Sequence, residues 1–255
     1  MLAKRSARWS ERVFIAEGAE LLRAALRAGV SIESVYLAPE GVNDPGAQEC
    51  CAQAMAAGAR LFSLAPGVME RVSDTVTPQP VLAVLPMFDH PALVSGAAGV
   101  GALVVVMVDV RDPGNAGTVL RTADASGARA VIFSGDSVDP YNPKTVRASA
   151  GSIFHIPFAV QDDPIALARS LAGAGYRTLA TTVGAGSDYA AVDFTRPSAL
   201  FLGNESSGLA PQVCDELSGA IAIPMEGRAE SLNVGVACAV VCFEALRQRR
   251  VGHGA

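Results

Sequence analysis

Aromatic residues make up only 5% of this 255-residue chain, with a single tryptophan, and charged residues only 18%. Half of the residues are hydrophobic, which supplies aliphatic surface for a core and carries no compositional mark of disorder. Long apolar runs are missing: the run at residues 100–108 is about nine residues against the roughly twenty a helix needs to cross a bilayer, so no membrane association is expected. The basic start through Lys4, Arg5 and Arg8 has no apolar segment behind it. That pattern excludes a secretory signal and makes a cytoplasmic location the expectation.

Cysteine is scarce and odd in number, five in all, which fits a reduced compartment better than a disulfide framework. Cys50 and Cys51 are adjacent, and Cys238 and Cys242 lie one helical turn apart in an apolar stretch; buried thiols are expected. His90, His155 and His253 are scattered without the spacing of metal ligands, so no metal is expected. A Walker A loop is absent, and Gly184-Ala185-Gly186 lacks the third glycine of a dinucleotide fingerprint. ATP use and NAD-dependent oxidoreduction are thereby disfavoured. The net charge of −5 opposes nucleic-acid binding mildly, since neutralising phosphates takes local positive charge. Local charge is present in Lys4, Arg5, Arg8 and Arg12 at one end and Arg247, Arg249 and Arg250 at the other. Taken alone, these are ordinary solvated ends.

The length favours two domains. Residues 17–28 and 48–57 read as helices, and 34–37, 60–64 and 81–85 as strands, which makes residues 1–85 a small α/β domain. Proline, serine and glycine crowd residues 86–99, read as a linker. A second domain, residues 100–255, opens with the β-branched run 103–108, the pattern of a parallel strand buried on both faces. Further strands are expected at 130–134, 177–182, 199–203 and 220–224, and a long, almost wholly apolar helix at 232–248, buried against a sheet or a partner chain. The architecture is thus α/β with a C-terminal parallel sheet.

Three motifs fall where strands hand over to loops or helices, the places where sites gather in α/β proteins. The first is Asn115-Ala116-Gly117-Thr118-Val119-Leu120-Arg121. Asn115 can cap a helix running to about Ser126, with Thr118, Arg121, Thr122 and Ala125 on one face and Arg121 toward a cleft. In the second, Leu202-Gly203-Asn204-Glu205 with Gly208, glycine at a strand end lets a ligand approach the backbone. The third runs from Ile223-Pro224-Met225 to Ser231-Leu232-Asn233-Val234. Here Ser231 can cap the last helix, and the loop before it can offer backbone amides and carbonyls to a ligand.

With these three motifs in this order, roughly over residues 104–249, the chain resembles the SpoU family, also called the TrmH family. These are S-adenosylmethionine-dependent RNA ribose 2'-O-methyltransferases of the SPOUT superfamily. The N-terminal part is similar to that family's substrate-binding domain, itself like a ribosomal protein, through residues 12–18 and 81–84. The resemblance implies a deep trefoil knot in the C-terminal domain, S-adenosylmethionine as cofactor, and a homodimer with active sites at or near the subunit interface. It implies catalytic or structural polar roles for Asn115, Arg121, Glu205, Ser231 and Asn233. Gly203, Ile223 and Leu232, joined by Met225 and Gly208, are expected to hold the cofactor, and Arg247 and Arg249 to contact RNA. Ser206 departs from the glycine many relatives carry after the glutamate. The separate first domain favours ribosomal RNA over tRNA as substrate, by analogy. A tRNA enzyme and a non-catalytic RNA-binding protein of the same fold are the alternatives.

Overall fold

The structure, a computed structural model, describes residues 2, 4–73, 75–89 and 98–252. Most of the expected linker, residues 90–97, lies outside the described residues, as do His90 and His253. In chain order the first elements are α1 (Arg5–Glu11), β1 (Val13–Glu17), α2 (Ala19–Arg27), β2 (Ser34–Leu37), α3 (Pro45–Ala56), β3 (Arg60–Ser63), α4 (Met69–Val72) and β4 (Val81–Pro86). Then come β5 (Leu103–Val108), α5 (Pro113–Ala125), β6 (Ala130–Ser134), α6 (Pro143–Ala148), β7 (Phe158–Gln161), α7 (Pro164–Gly173) and β8 (Arg177–Thr182). The chain closes with β9 (Ser187–Asp188), β10 (Ser198–Leu202), α8 (Pro211–Cys214), β11 (Gly219–Ala222) and α9 (Val234–Gly252).

Two compact units result: Met1–Phe88 with Asp139–His155, and Asp89–Val138 with Ile156–Ala255. The segment Asp139–His155, which the sequence places in the second domain, therefore packs with the first. Its reason is physical. Arg8, 1% exposed, donates to Asp139 Oδ2 from Nε at 3.0 Å and from Nη2 at 2.5 Å, and a buried charge persists only when so paired. Tyr141 and Phe154 then close an aromatic cluster on Phe14, with ring centroids 4.8 and 6.3 Å away.

The first unit carries a sheet in the order β1-β4-β2-β3, antiparallel except for the β2–β3 pair. The helix expected at 17–28 is α2 alone; Val13–Glu17 before it is a strand paired with β4. Gly18, at φ +102°, makes the break between them, a conformation open to glycine. Asp44 starts α3 three residues before the expected position, accepting from the amides of Gly46 and Ala47 ahead of Pro45 at the first helical position.

The second unit carries a wholly parallel sheet in the order β7-β6-β5-β10-β8-β11-β9. All six residues of β5 are buried, as its unbroken apolar run requires. The short strands β7 and β9 at the two sides of the sheet were not expected from the sequence. Two expected caps are corrected. Asp112, not Asn115, caps α5, accepting from the Asn115 amide with Pro113 at the first helical position. At α9 the side chain of Asn233, not Ser231, accepts from the amides of Gly235 and Val236 at 2.9 and 3.4 Å. Strand β11 stops at Ala222, so Ile223–Met225 is loop rather than strand.

α9 packs on α5, and the packing is close: a Cβ on Gly235 would lie 2.8 Å from the Thr118 methyl. Its opposite face leaves Val236 and Phe243 each 48% exposed. Cys238 and Cys242 lie buried within the helix, their sulfurs 3.6 Å apart, and Cys50 and Cys51 are buried in α3, as expected. Among the described residues no helix is long and apolar enough to cross a membrane.

Candidate active site

A cavity of about 420 Å³ opens at the carboxyl ends of β8, β10 and β11, the edge of a parallel sheet where ligands bind, and its size suits a small cofactor. Thr181–Val183 form one side; Gly203 to Ser206 and Gly208 form the floor. Ile221, Ile223, Leu232, Val234 and Val241 supply apolar wall. The floor depends on glycine. A Cβ on Gly203 would overlap the Gly208 carbonyl carbon and the Leu209 nitrogen and stand 2.7 Å from the Gly208 oxygen. Those are backbone atoms, which cannot rotate away. Asn204 pins the turn, donating from Nδ2 to the Asp109 carbonyl at 2.8 Å and accepting from the amides of Ser206 and Ser207.

Beside the cavity a chain of hydrogen bonds joins the three motifs. Asn115 Nδ2 donates to Glu205 Oε1 at 2.9 Å, and Asn233 Nδ2 donates to Asn115 Oδ1 at 2.8 Å. Glu205 also accepts from the amides of Asp112 at 3.2 Å and Arg111 at 3.4 Å. Burial pushes its carboxyl up, but the Asn115 bond and the backbone amides at its own position, Asp112 and Arg111 outweigh that and hold it below its ordinary value. It is therefore an anion at neutral pH with its oxygens engaged. Such a group fixes the α5 loop to the β10 loop; a general acid or base would need a pKa moved toward neutrality.

Of the expected residues, Gly203, Glu205, Gly208, Ile223, Met225, Ser231, Leu232 and Asn233 line the cavity. Asn115 does not line it and touches two residues that do. Arg121 is exposed on α5, does not line the cavity, and has no hydrogen bond or ion pair among the described residues. The expected RNA-contacting arginines both have partners within the chain. Arg249 Nη1 donates to the Gly101 carbonyl at 3.1 Å and Nη2 to the Ser126 carbonyl at 2.8 Å, while Arg247 pairs with Glu244 at 2.7 Å. Arg249 is thus a tie inside the second unit. Sequence reasoning missed Thr181, Thr182 and Val183. Their only signal is position at the end of a strand neighbouring β10, which a sequence does not display.

A cavity with apolar walls and a glycine floor, at the carboxyl edge of a parallel sheet, defines a cofactor-binding α/β enzyme. Residues 102–243 match the SpoU rRNA Methylase family and residues 1–83 the MRM3-like substrate binding domain. The chain belongs to the SpoU rRNA methylase family. It is 30% identical over 237 residues, 92% of this chain and 89% of the other, to the 23S rRNA (guanosine(2553)-2'-O)-methyltransferase RlmP of Bacillus subtilis. An AdoMet-bound rRNA methyltransferase from Sinorhizobium meliloti superposes with TM-score 0.85 at 33% identity, covering 96% of this chain and 91% of that one. The SpoU methyltransferase AviRb from Streptomyces viridochromogenes, in complex with AdoMet, does so with TM-score 0.86 at 28% identity, covering 98% and 95%.

Proposed function

We propose that this protein methylates a ribose 2'-hydroxyl of large-subunit ribosomal RNA with S-adenosylmethionine as donor, using the cavity at the ends of β8, β10 and β11. The observation that carries the reading is the hydrogen-bonded series Asn233–Asn115–Glu205 beside that cavity. The cavity residues suit the cofactor: Gly203 and Gly208 leave backbone open to it, and Ile221, Ile223, Leu232, Val234 and Val241 give apolar lining for an adenine ring. When bound, the cofactor supplies an electrophilic methyl group. Gly203, Gly208, Ile223, Met225 and Leu232 hold it, largely through backbone.

The protein's own share is positioning. Asn115, Glu205 and Asn233 fix the three loops against one another, and Ser231 lines the cavity beside them. Arg121 remains a guanidinium, which does not lose its proton in proteins. Its part is to orient the RNA so that a neighbouring phosphate oxygen takes the 2'-hydroxyl proton. The exposure of Arg121 and its freedom from intramolecular partners among the described residues support this.

The same reading includes a homodimer through the second unit, with the half-exposed Val236 and Phe243 on α9 covered by a second copy. The deep knot that the family resemblance implies also belongs to it. Ribosomal RNA rather than tRNA is favoured by the match of residues 1–83 and by two rRNA methyltransferases, of Bacillus subtilis and Sinorhizobium meliloti, that align over more than nine-tenths of this chain.

The test is methyl transfer from labelled S-adenosylmethionine to unmodified ribosomal RNA and tRNA, with Arg121→Ala alongside. Ribose-linked label in ribosomal RNA, lost in the variant while cofactor binding persists, is expected. Full turnover by Arg121→Ala removes that residue's role; label in tRNA alone replaces the substrate. Light scattering on wild type and Phe243→Glu tests the dimer, and a wild-type monomer overturns it.

A further inference from the structure

The chain carries net negative charge, yet α1 and its flanks concentrate cations. Lys4, Arg5 and Arg12 are exposed there, against Glu11 as the exposed acid of the same stretch. Arg8 is spent inward on Asp139 and on the Leu2 carbonyl, which holds the helix to its unit. The outward cations are not loose. The guanidinium carbons of Arg5 and Arg12 lie 5.8 and 5.6 Å from the centroid of Trp9, within cation–π range. The indole is held in turn by an edge contact to Tyr141 at 6.3 Å, and its buried Nε1 finds no acceptor. Its ring faces, rather than its N–H, therefore do the holding.

Arg12 adds an independent observation. It ends α1 with φ +57°, its amide bonded to the Arg8 carbonyl and its carbonyl accepting from the Met87 amide at 2.7 Å. This left-handed position after a helix ordinarily belongs to glycine. An arginine here carries backbone strain that glycine would relieve, in exchange for a guanidinium fixed beside the tryptophan.

We propose that Arg5, Trp9 and Arg12 form a phosphate clamp for the ribose-phosphate backbone of the RNA substrate, two guanidinium groups preset on one indole. The clamp positions RNA without reading sequence, because phosphate contacts carry no base information. Presetting lowers the side-chain entropy lost on binding. The inference rests on the reading of the protein as an RNA methyltransferase and assigns one surface of the first unit to the substrate.

The experiment is titration of the full chain with unmodified 23S ribosomal RNA transcript across a series of salt concentrations, alongside KM and kcat for methyl transfer. Arg5→Gln and Arg12→Gln are each expected to weaken binding about three- to tenfold at low salt and to reduce the salt slope by about 0.7–0.9 per lost phosphate contact. KM for RNA rises while kcat at saturation and cofactor affinity hold. Arg12→Gly removes the same charge and relieves the strained backbone, so weakened binding at unchanged or higher Tm is expected, separating recognition from folding. Arg60→Gln, an equal loss of charge beside the exposed Phe62 of the same unit, is the control. Unchanged slopes in the Arg5 and Arg12 variants, or an equal loss in Arg60→Gln, overturn the clamp. A wild-type protein that binds cofactor but neither binds nor methylates RNA overturns the proposed function along with it.

Discussion

Asn233 Nδ2 donates to Asn115 Oδ1 at 2.8 Å, joining residues 118 positions apart in the chain. The bond fixes the orientation of the Asn115 amide, since its oxygen accepts from Asn233 while its nitrogen donates to Glu205. Asn233 is itself held, because its oxygen accepts the first amides of α9. The start of the last helix, the first turn of α5 and the loop after β10 are thus set by one amide.

Asn115→Asp should be worse than Asn115→Ala. Alanine deletes two hydrogen bonds, worth about 1 kcal/mol each; aspartate also points a carboxylate at the Glu205 oxygen now 2.9 Å from the amide. Expected is a loss of turnover of about tenfold for alanine and a hundredfold for aspartate, since loop misplacement of an ångström has such effects. The aspartate variant should recover partly when combined with Glu205→Gln. Equal activity of the two single variants would remove the electrostatic part of this account.

Gly203→Ala tests the cavity floor. The added methyl meets backbone at Gly208 and Leu209, so relief requires moving the turn that Asn204 pins. Overpacking of this kind costs about 1–3 kcal/mol, or a fall in Tm of roughly 2–4 °C per kcal/mol for a chain of this size. Cofactor affinity should drop further than Tm suggests, and calorimetric titration would read it. Normal affinity in a stable Gly203→Ala protein would mean the turn from Gly203 to Leu209 is looser than described.

What the sequence disclosed follows from the range over which each signal acts. The run 103–108 names itself as a central parallel strand because burial on both faces leaves no polar alternation, and all six residues are buried. The expected site residues were legible as a group, and eight of them line one cavity. Their local parts were less legible. Asp112-Pro113 outcompetes Asn115 as the start of α5 because proline preforms the first turn, and Asn233 outcompetes Ser231 at α9. Pairings across the chain left no local trace: Arg8 with Asp139 spans 131 positions, which is why the packing of residues 139–155 with the first unit was not legible. For the same reason Arg249 read as a surface cation, although its partners are carbonyls at Gly101 and Ser126.

Arg249→Met should therefore lower stability without lowering RNA affinity. It removes charged donors from the Gly101, Ser126 and Gly127 carbonyls, a loss of about 1.5–3 kcal/mol for a hydrogen-bonded charge. Burial lowers the Arg249 pKa, so a neutral isostere avoids part of the desolvation cost and the effect belongs at the lower end. Thermal melts and RNA titration on one preparation read both quantities. A large affinity loss with unchanged Tm would return Arg249 to the RNA-contacting set.

Glu244 supplies a pH signature for the last helix. Its carboxyl accepts from Arg247 Nε and Nη2 at 2.8 and 2.7 Å and from Gln248 Nε2 at 2.7 Å, and these bonds hold its pKa at about 2 against an ordinary 4.5. Gln248 carries the tie onward, donating to the Val192 carbonyl and accepting from the Phe194 amide. Because the folded pKa is depressed, the unfolded chain binds the proton first as pH falls. The stabilisation is fully present above about pH 4.5 and disappears toward pH 2. The Tm difference between wild type and Glu244→Gln should be constant from pH 7 to about 5 and then shrink steadily with acid. A difference that persists undiminished to pH 3 would show that Glu244 stabilises the helix by packing rather than by its charge.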